Sequence, residues 1–230
     1  MKNKTNLEIR NMFDKISEKY DFMNRIISFG LNEYVKTQAI KALNIKPNSK
    51  VLDLCCGSGD LGKIIKKIQP SCDVIGVDFS QNMIELASKK NPNITYRQMD
   101  VTSLAFEKNS FDYIVMGFGL RNIPQKNKAL EEIYRTLKTE GQFLHLDFGK
   151  HNIYSKIYDN IILFIIKFFT KNTKPYKYLI LSKRNFLEPE ELIELFKFNK
   201  LTYIKHKNML FDIISFSVSF SPFCCLSTKS

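Results

Sequence analysis

Short continuous apolar runs, separated by stretches of helical spacing, organise this chain from residue 51 onward. Val51 to Cys55 reads as a buried strand, and Leu61, Ile64, Ile65 and Ile68 then fall on one helical face. Val74 to Asp78 is a second strand. Ser80 is placed to cap a helix carrying Met83, Ile84, Leu86 and Ala87. Ile94 to Met99 and Phe111 to Met116 read as the third and fourth strands. Lys128 to Leu137 is helical, and Gly141 precedes a fifth strand, Gln142 to Phe148. Glu188 to Asn199 is helical with Pro189 acceptable in its first turn. Two strands close the chain, near Leu201 to Lys205 and Phe211 to Phe220, with no helix between them.

Continuous apolar strands alternating with helices predict an α/β, Rossmann-like fold with a sheet covered on both faces. The expected sheet has seven strands, mostly parallel, with an antiparallel hairpin from the C-terminal strands at its edge. Residues 1–46 read as an N-terminal helical cap of the same domain. Residues 47–220 form the main unit, with a helical insertion at about 151–185, and 221–230 reads as a flexible tail.

Sheets of this kind bind ligands beyond the carboxyl ends of their strands. The first strand runs into Asp53-Leu54-Cys55-Cys56-Gly57-Ser58-Gly59-Asp60. Gly57 and Gly59 permit a sharp turn and close ligand approach. Asp78, ending the second strand, can accept both hydroxyls of a ribose. Asp100, after the third, is a candidate acceptor for an adenine amino group. Gly57 to Gly62 also matches the G-x-G-x-x-G dinucleotide pattern, so an NAD-dependent oxidoreductase is the alternative. Asp53 and Asp60 argue against it, because negative charge around the turn is poor for a pyrophosphate. A site lined by Asp53, Asp60, Asp78 and Asp100 suits a cationic ligand such as S-adenosylmethionine.

These residues resemble the class I S-adenosylmethionine methyltransferases and, more narrowly, the ubiquinone/menaquinone biosynthesis C-methyltransferases. The resemblance covers roughly residues 9–220. It is carried by Met12-Phe13-Asp14, Tyr20-Asp21-Phe22-Met23-Asn24, Ser28-Phe29-Gly30, the glycine turn, Phe118-Gly119-Leu120-Arg121-Asn122 and Tyr134 to Lys138. It implies a seven-stranded class I methyltransferase fold and S-adenosyl-L-methionine as cofactor, held around Asp53, Gly57, Ser58, Gly59, Asp78, Asp100, Val101 and Gly117. It implies transfer of a methyl group to a ring carbon of a polyprenyl quinol, with demethylmenaquinol favoured over a benzoquinol. Catalytic expectations fall on Arg121 (oxyanion stabilisation), Asn122 (a quinol oxygen), Asp147 (base or orienter at the pocket mouth) and Tyr20, with Asn24 beside it. His145 shares the strand face of Asp147 and is expected in the core. The chain departs from the family pattern at Asn32, Val35, Ser58, Gly117, Lys138 to Gly141 and Asp147 to Gly149.

Charge adds a partner. The formal charge is +12, with 35 basic residues of which only six are Arg. Residues 51–150 carry a net +1, while 1–50 carry +5 and 151–230 carry +6. The excess is densest from Lys150 to Arg184, around the apolar run Ile161 to Phe169. That run is about half the length needed to span a bilayer. It predicts a helix that packs on the protein or touches a lipid surface. A nucleic-acid methyltransferase is a further alternative that the charge favours, but only Asn122-Ile123-Pro124 faintly resembles a base-flipping motif. No nucleic-acid partner is expected, and a homodimer is compatible with the chain. The five Cys and three His lack ligand spacing, so no metal is expected. The N-terminus has no apolar signal core, which predicts a cytoplasmic protein able to sit at the inner face of the membrane.

Overall fold

The computed structural model describes residues 8–9, 14, 20–169 and 174–221, without the side chains of residues 20, 168–169, 174–176 and 203–204. Met12, Phe13, the 222–230 tail with Cys224 and Cys225, and the Tyr20 side chain therefore lie outside the described residues.

The chain begins with helices α1 (Tyr20–Ile27) and α2 (Asn32–Lys41). Then come β1 (Lys50–Leu54), α3 (Asp60–Ile68), β2 (Asp73–Asp78), α4 (Gln81–Lys90), β3 (Thr95–Gln98) and β4 (Phe111–Gly117). A short 3₁₀ turn at Leu120–Asn122 leads to α5 (Lys126–Thr136) and β5 (Leu137–Phe148). The remainder is α6 (Ile153–Phe169), α7 (Lys174–Arg184), α8 (Pro189–Phe198), β6 (Thr202–Met209) and β7 (Ile214–Phe220). The strands form one sheet in the order β3-β2-β1-β4-β5-β7-β6. β1 to β5 are parallel, and β7 runs antiparallel between β5 and β6. The seven-stranded, mostly parallel sheet and its C-terminal hairpin are as the apolar runs predict.

Strand alternation sorts the core into two layers. Leu52, Leu54, Ile114, Met116 and Phe143 pack with Leu130 and Ile133 of α5 and Phe196 of α8. Val51, Val115, Leu144 and Leu146 pack with Ile40 of α2 and Leu61 and Ile65 of α3. Ser80 caps α4 by accepting from the Met83 amide, and Glu188 with Glu191 closes a capping box on α8. The boundaries differ in several places, and β6 runs four residues further than expected, to Met209. β5 starts at Leu137 and carries Gly141 inside it, across an irregularity in its pairing with β4. Phe211 and Asp212 leave the final strand, and with Leu210 each has left-handed φ between 52° and 65°. Leu210 and Phe211 are apolar enough for a strand, but three such angles in succession make a tight connector between β6 and β7.

A third, smaller cluster places α6 and α7 against the N-terminal segment. Met23 of α1 packs on Ile162 and Ile166 of α6 and Ile180 of α7. The Tyr158 hydroxyl donates to the Ile27 carbonyl at 3.0 Å. Among the described residues, no helix is long and apolar enough to cross a membrane.

Candidate active site

β1 delivers the chain into a turn that only small residues tolerate. Cys55, Gly57 and Gly59 have φ of 54°, 54° and 83°. A Cβ on Gly59 would collide with the Tyr96 hydroxyl oxygen. Gly59→Ala therefore meets left-handed strain, about 1–2 kcal/mol, and must displace a half-buried tyrosine. We expect a loss of roughly 2 kcal/mol and a fall in Tm of about 4–8 °C by calorimetry; an unchanged Tm would contradict this turn geometry. Two carboxylates brace the turn. Asp53 accepts the Gly62 amide at 3.0 Å in the first turn of α3. Asp78 accepts the amides of Gly57 and Ser80, both at 3.0 Å, and so joins the ends of β1 and β2. Burial raises the Asp78 pKa, and those amide donors oppose the rise.

Two lobes open at the carboxyl ends of the strands. The smaller, about 780 Å³, is lined by Gly57, Asp78, Met83, Met99, Asp100, Val101, Gly119, Asn122 and Ile9. The larger, about 1630 Å³, lies between the sheet end and α1, α2, α6 and α7. Cys55, Gly57, Gly117 and Phe118 line both, so the lobes meet there. The smaller lobe carries the acceptors Asp78 and Asp100, which are the groups a nucleoside would need. The larger is mainly apolar, with Phe29, Phe148, Ile162, Leu179 and Ile213 in its wall.

Asp53 and Asp60 both line the larger lobe. Asp53 is fully buried, and its Oδ1 has no partner in the structure. Burial pushes its pKa up to about 7, against the pull of the Gly62 amide and Lys36. Asp60 behaves oppositely. Burial opposes its ionisation, but Lys36 at 2.8 Å and Lys90 at 3.3 Å hold its pKa down at about 2. The acid free to neutralise a bound cation is thus Asp53, while Asp60 is already paired. Asp21 of α1 accepts from Ser58 at 2.6 Å and pairs with Lys90 at 2.7 Å. Asp14 accepts from Ser80, and Ile9 is buried in the smaller lobe, so N-terminal residues lie against the ligand loops.

Arg121 stands in the wall of the larger lobe. Its guanidinium donates to Asp147 at 2.6 Å and to the Phe118 carbonyl at 2.8 Å. It lies 5.7 Å and 5.1 Å from the ring centres of Phe118 and Phe148. Its Nε is buried without a partner, and so are Oδ2 of Asp147 and Nε2 of His145. Burial lowers the His145 pKa to about 4, despite Asp147 3.8 Å away. That imidazole is neutral and packs between Phe186 and Phe196, as expected of a core histidine.

The structure gathers Asp53, Gly57, Ser58, Gly117 and Arg121 around the larger lobe, with Asn24. It gathers Asp78, Asp100, Val101 and Gly117 around the smaller one. Gly59 lines neither lobe and serves the turn. Besides Gly59, two placements differ from expectation, those of Asp147 and Asn122. Asp147 is not at the pocket mouth but behind Arg121, 1% exposed and lining neither lobe. Asn122 lines the nucleoside lobe instead of the apolar one, donating to the Phe118 carbonyl at 3.4 Å. Asp100 bonds the amide and hydroxyl of Thr102 at 2.8 Å through one oxygen. Tyr20 begins α1, with its side chain outside the described residues.

The sequence reading missed Lys183, a buried cation that joins Arg121 and Lys36 in the larger lobe. Lys183 of α7 bonds Asp159 at 2.7 Å, and Arg184 bonds the other oxygen of Asp159 at 2.8 Å. The Lys183 ammonium sits 5.1 Å from the Phe148 ring centre and 4.7 Å from that of Tyr158. Burial lowers its pKa, opposed by Asp159. One carboxylate shared by two cations leaves this wall net positive. The only advance signal was the basic density of 150–184, which did not say which lysine turns inward.

No group of three or more metal-ligating side chains is present among the described residues. The chain is 34% identical over 214 residues to a demethylmenaquinone methyltransferase of Listeria welshimeri, covering 86% of this chain and 91% of that one. It is 36% identical over 206 residues to the Staphylococcus aureus protein of the same name, covering 85% and 86%. The fold is similar to a Haemonchus contortus phosphoethanolamine N-methyltransferase solved with phosphomonomethylethanolamine and S-adenosylhomocysteine (TM-score 0.69, 19% identity, 93% of this chain and 60% of that one). The sequence profile of the ubiE/COQ5 methyltransferase family matches residues 1–220, and with the relatives and the two-lobed site it shows that this methyltransferase chain belongs to that family.

Proposed function

We propose that this enzyme carries out the S-adenosyl-L-methionine-dependent C-methylation of demethylmenaquinol. The observation that carries the reading is Arg121, a buried guanidinium with an unpartnered Nε, set in an apolar lobe that joins an acid-lined nucleoside lobe. The names of the relatives support the substrate.

The residues present fit the cofactor. Asp53 has a buried oxygen without a partner, suited to the amino group of a methionine moiety. Asp78 faces the nucleoside lobe, as do Asp100 and Val101. When bound, S-adenosylmethionine supplies the methyl group on an already activated sulfonium. The protein's own work is to position, exclude water and make the ring carbon nucleophilic. A quinol carbon becomes nucleophilic when the adjacent hydroxyl loses its proton and the charge spreads into the ring. Arg121 stabilises that oxyanion, held by Asp147 and by the Phe118 carbonyl. Asp147 acts as a positioning residue: it is buried behind Arg121 and fixes the guanidinium. Lys183 adds positive charge on the facing wall. The proton on the methylated carbon then leaves as the ring regains aromaticity and the phenolate oxygen is reprotonated, so each turnover releases one proton to solvent.

The apolar wall between α6 and α7 takes the start of the polyprenyl tail, with α1 and α2 capping the larger lobe and Ile9 set against the smaller. The substrate resides in a bilayer, so the partner is a membrane-borne quinol met at the inner face of the membrane. Conversion of demethylmenaquinol to menaquinol by the purified chain, with methyl-labelled cofactor, tests the reading. Labelled methyl appearing on no quinol would sink it.

Asp53 gives a pH test. Its folded-state pKa of about 7 lies above the ordinary aspartate value of 3.8. Without ligand, its contribution to stability is fully present below pH 3.8 and is lost as pH rises toward 7. A cation beside it reverses the preference and expels the proton. Calorimetry with S-adenosylhomocysteine near pH 6.5, in buffers of different ionisation enthalpy, should show proton release on binding. Asp53→Asn should abolish that release; equal release from the variant would mean that another group loses the proton.

A further inference from the structure

Helix α6 presents two unlike faces. Ser155, Asp159, Ile162 and Ile166 lie on one side and are all buried, at 1–2% exposure. On the opposite side Ile153, Ile157, Ile161 and Phe164 follow each other at steps of four, four and three residues. They are 62%, 50%, 43% and 76% exposed. A surface helix ordinarily places polar residues there. Beside this stripe Tyr154 stacks with Phe211, ring centres 5.2 Å apart, and both rings are more than half exposed. Phe211 also lines the apolar lobe, so the stripe is continuous with the lobe's rim. The three left-handed residues of the β6–β7 connector hold Phe211 outward, a conformation that side chains rarely adopt and that tends to persist where it serves a site.

Charge completes the pattern. Helical spacing sets Lys156 and Lys167 along one edge of the stripe, both exposed. Asp159, the one acid between Lys150 and Arg184, is buried and consumed by Lys183 and Arg184. The face is therefore apolar with a basic margin, and α6 is too short and too charged to cross a bilayer. An apolar stripe flanked by lysines matches a helix lying in the head-group boundary of an anionic membrane.

We infer that α6 and Phe211 form the surface on which the enzyme docks to an anionic bilayer, with the mouth of the apolar lobe turned toward the lipid. This rests on the quinol reading above, since it is the bilayer-resident substrate that makes a lipid-facing mouth useful.

The test floats the full chain with vesicles of phosphatidylcholine alone or with about one-third phosphatidylglycerol, at low and high salt. The chain should float with the anionic vesicles, less so at high salt. Ile157→Glu with Phe164→Glu should cut the floated fraction at least tenfold. The same variant should bind S-adenosylhomocysteine unchanged and methylate a tail-truncated, water-soluble demethylquinol at the wild-type rate. A variant that floats as well as wild type overturns the surface assignment. So does a wild type that never floats and sediments as a dimer dissociated by the two substitutions, since a second copy then covers the face. No turnover of the soluble quinol by wild type, with flotation as expected, would instead count against the methyltransferase substrate and leave the docking face standing.

Discussion

Replacing Arg121 by alanine should lower kcat by a factor of about 100 to 1000 while leaving S-adenosylhomocysteine affinity nearly intact. The guanidinium is held on three sides, by Asp147, the Phe118 carbonyl and the faces of two aromatic rings. Preorganised in this way, it needs no rearrangement when negative charge builds on a quinol oxygen. The lobe around it is apolar, which strengthens the interaction relative to water. The substitution also strands Asp147, which is 1% exposed and would keep a buried charge without its partner. Breaking such a pair costs about 3–5 kcal/mol, so lost turnover could reflect lost folding. Pairing Arg121→Met with Asp147→Asn separates the two. The double variant removes both charges and should recover most of the stability in denaturant titration, yet its single-turnover rate should remain as low as that of Arg121→Ala. A stable double variant that methylates at the wild-type rate would end the oxyanion role for Arg121.

Much of this arrangement was legible because local chemistry fixed it. Val51 to Leu54, apolar but for Asp53, and Val74 to Val77 are buried on both faces, as the interior of a parallel sheet requires. Gly57 and Gly59 sit where φ is positive, and Ser80 caps α4 through its own hydroxyl. The residues that escaped are those whose role depends on distant partners. Asp60 and Lys36 are 24 positions apart, as are Asp159 and Lys183. Neither pair can be read without knowing how α2 packs on α3 and α6 on α7. Strand parity placed Asp147 with His145 but carried no information on depth, and Arg121 turned out to lie between that carboxylate and the lobe. The resemblance implied a quinol contact for both Arg121 and Asn122, yet across the 3₁₀ turn at Leu120–Asn122 the two neighbours line different lobes. The apolar run at 161–169 was recognised as a helix near basic residues. Which of its faces is bare became clear only from burial.

The second large effect is expected at Asp78. Asp78→Ala should weaken S-adenosylhomocysteine binding by a factor of about 100 or more. Each hydrogen bond from a ribose hydroxyl to a carboxylate is worth roughly 1.5–3 kcal/mol, and about 2.7 kcal/mol corresponds to a hundredfold in affinity. Asp78 has a second duty that the ribose does not measure. Its two oxygens receive the amides of Gly57 and Ser80, so alanine leaves two buried donors unanswered, at about 1–3 kcal/mol each. Loosening the glycine turn would itself impair binding. Asp78→Asn distinguishes these causes, because its single carbonyl oxygen can still satisfy one amide while its NH₂ group cannot accept a hydroxyl. If ribose recognition dominates, asparagine should bind the nucleoside nearly as poorly as alanine while losing less thermal stability. If the turn dominates, asparagine should recover most of the affinity. The same titrations decide between a sulfonium nucleoside and a dinucleotide. Asp53 offers a carboxyl oxygen without a partner where a pyrophosphate would have to lie, so NADH should neither bind wild type nor displace S-adenosylhomocysteine. Tight NADH binding, lost in Asp78→Ala and unaccompanied by any affinity for S-adenosylhomocysteine, would require the glycine turn to be reassigned to a dinucleotide.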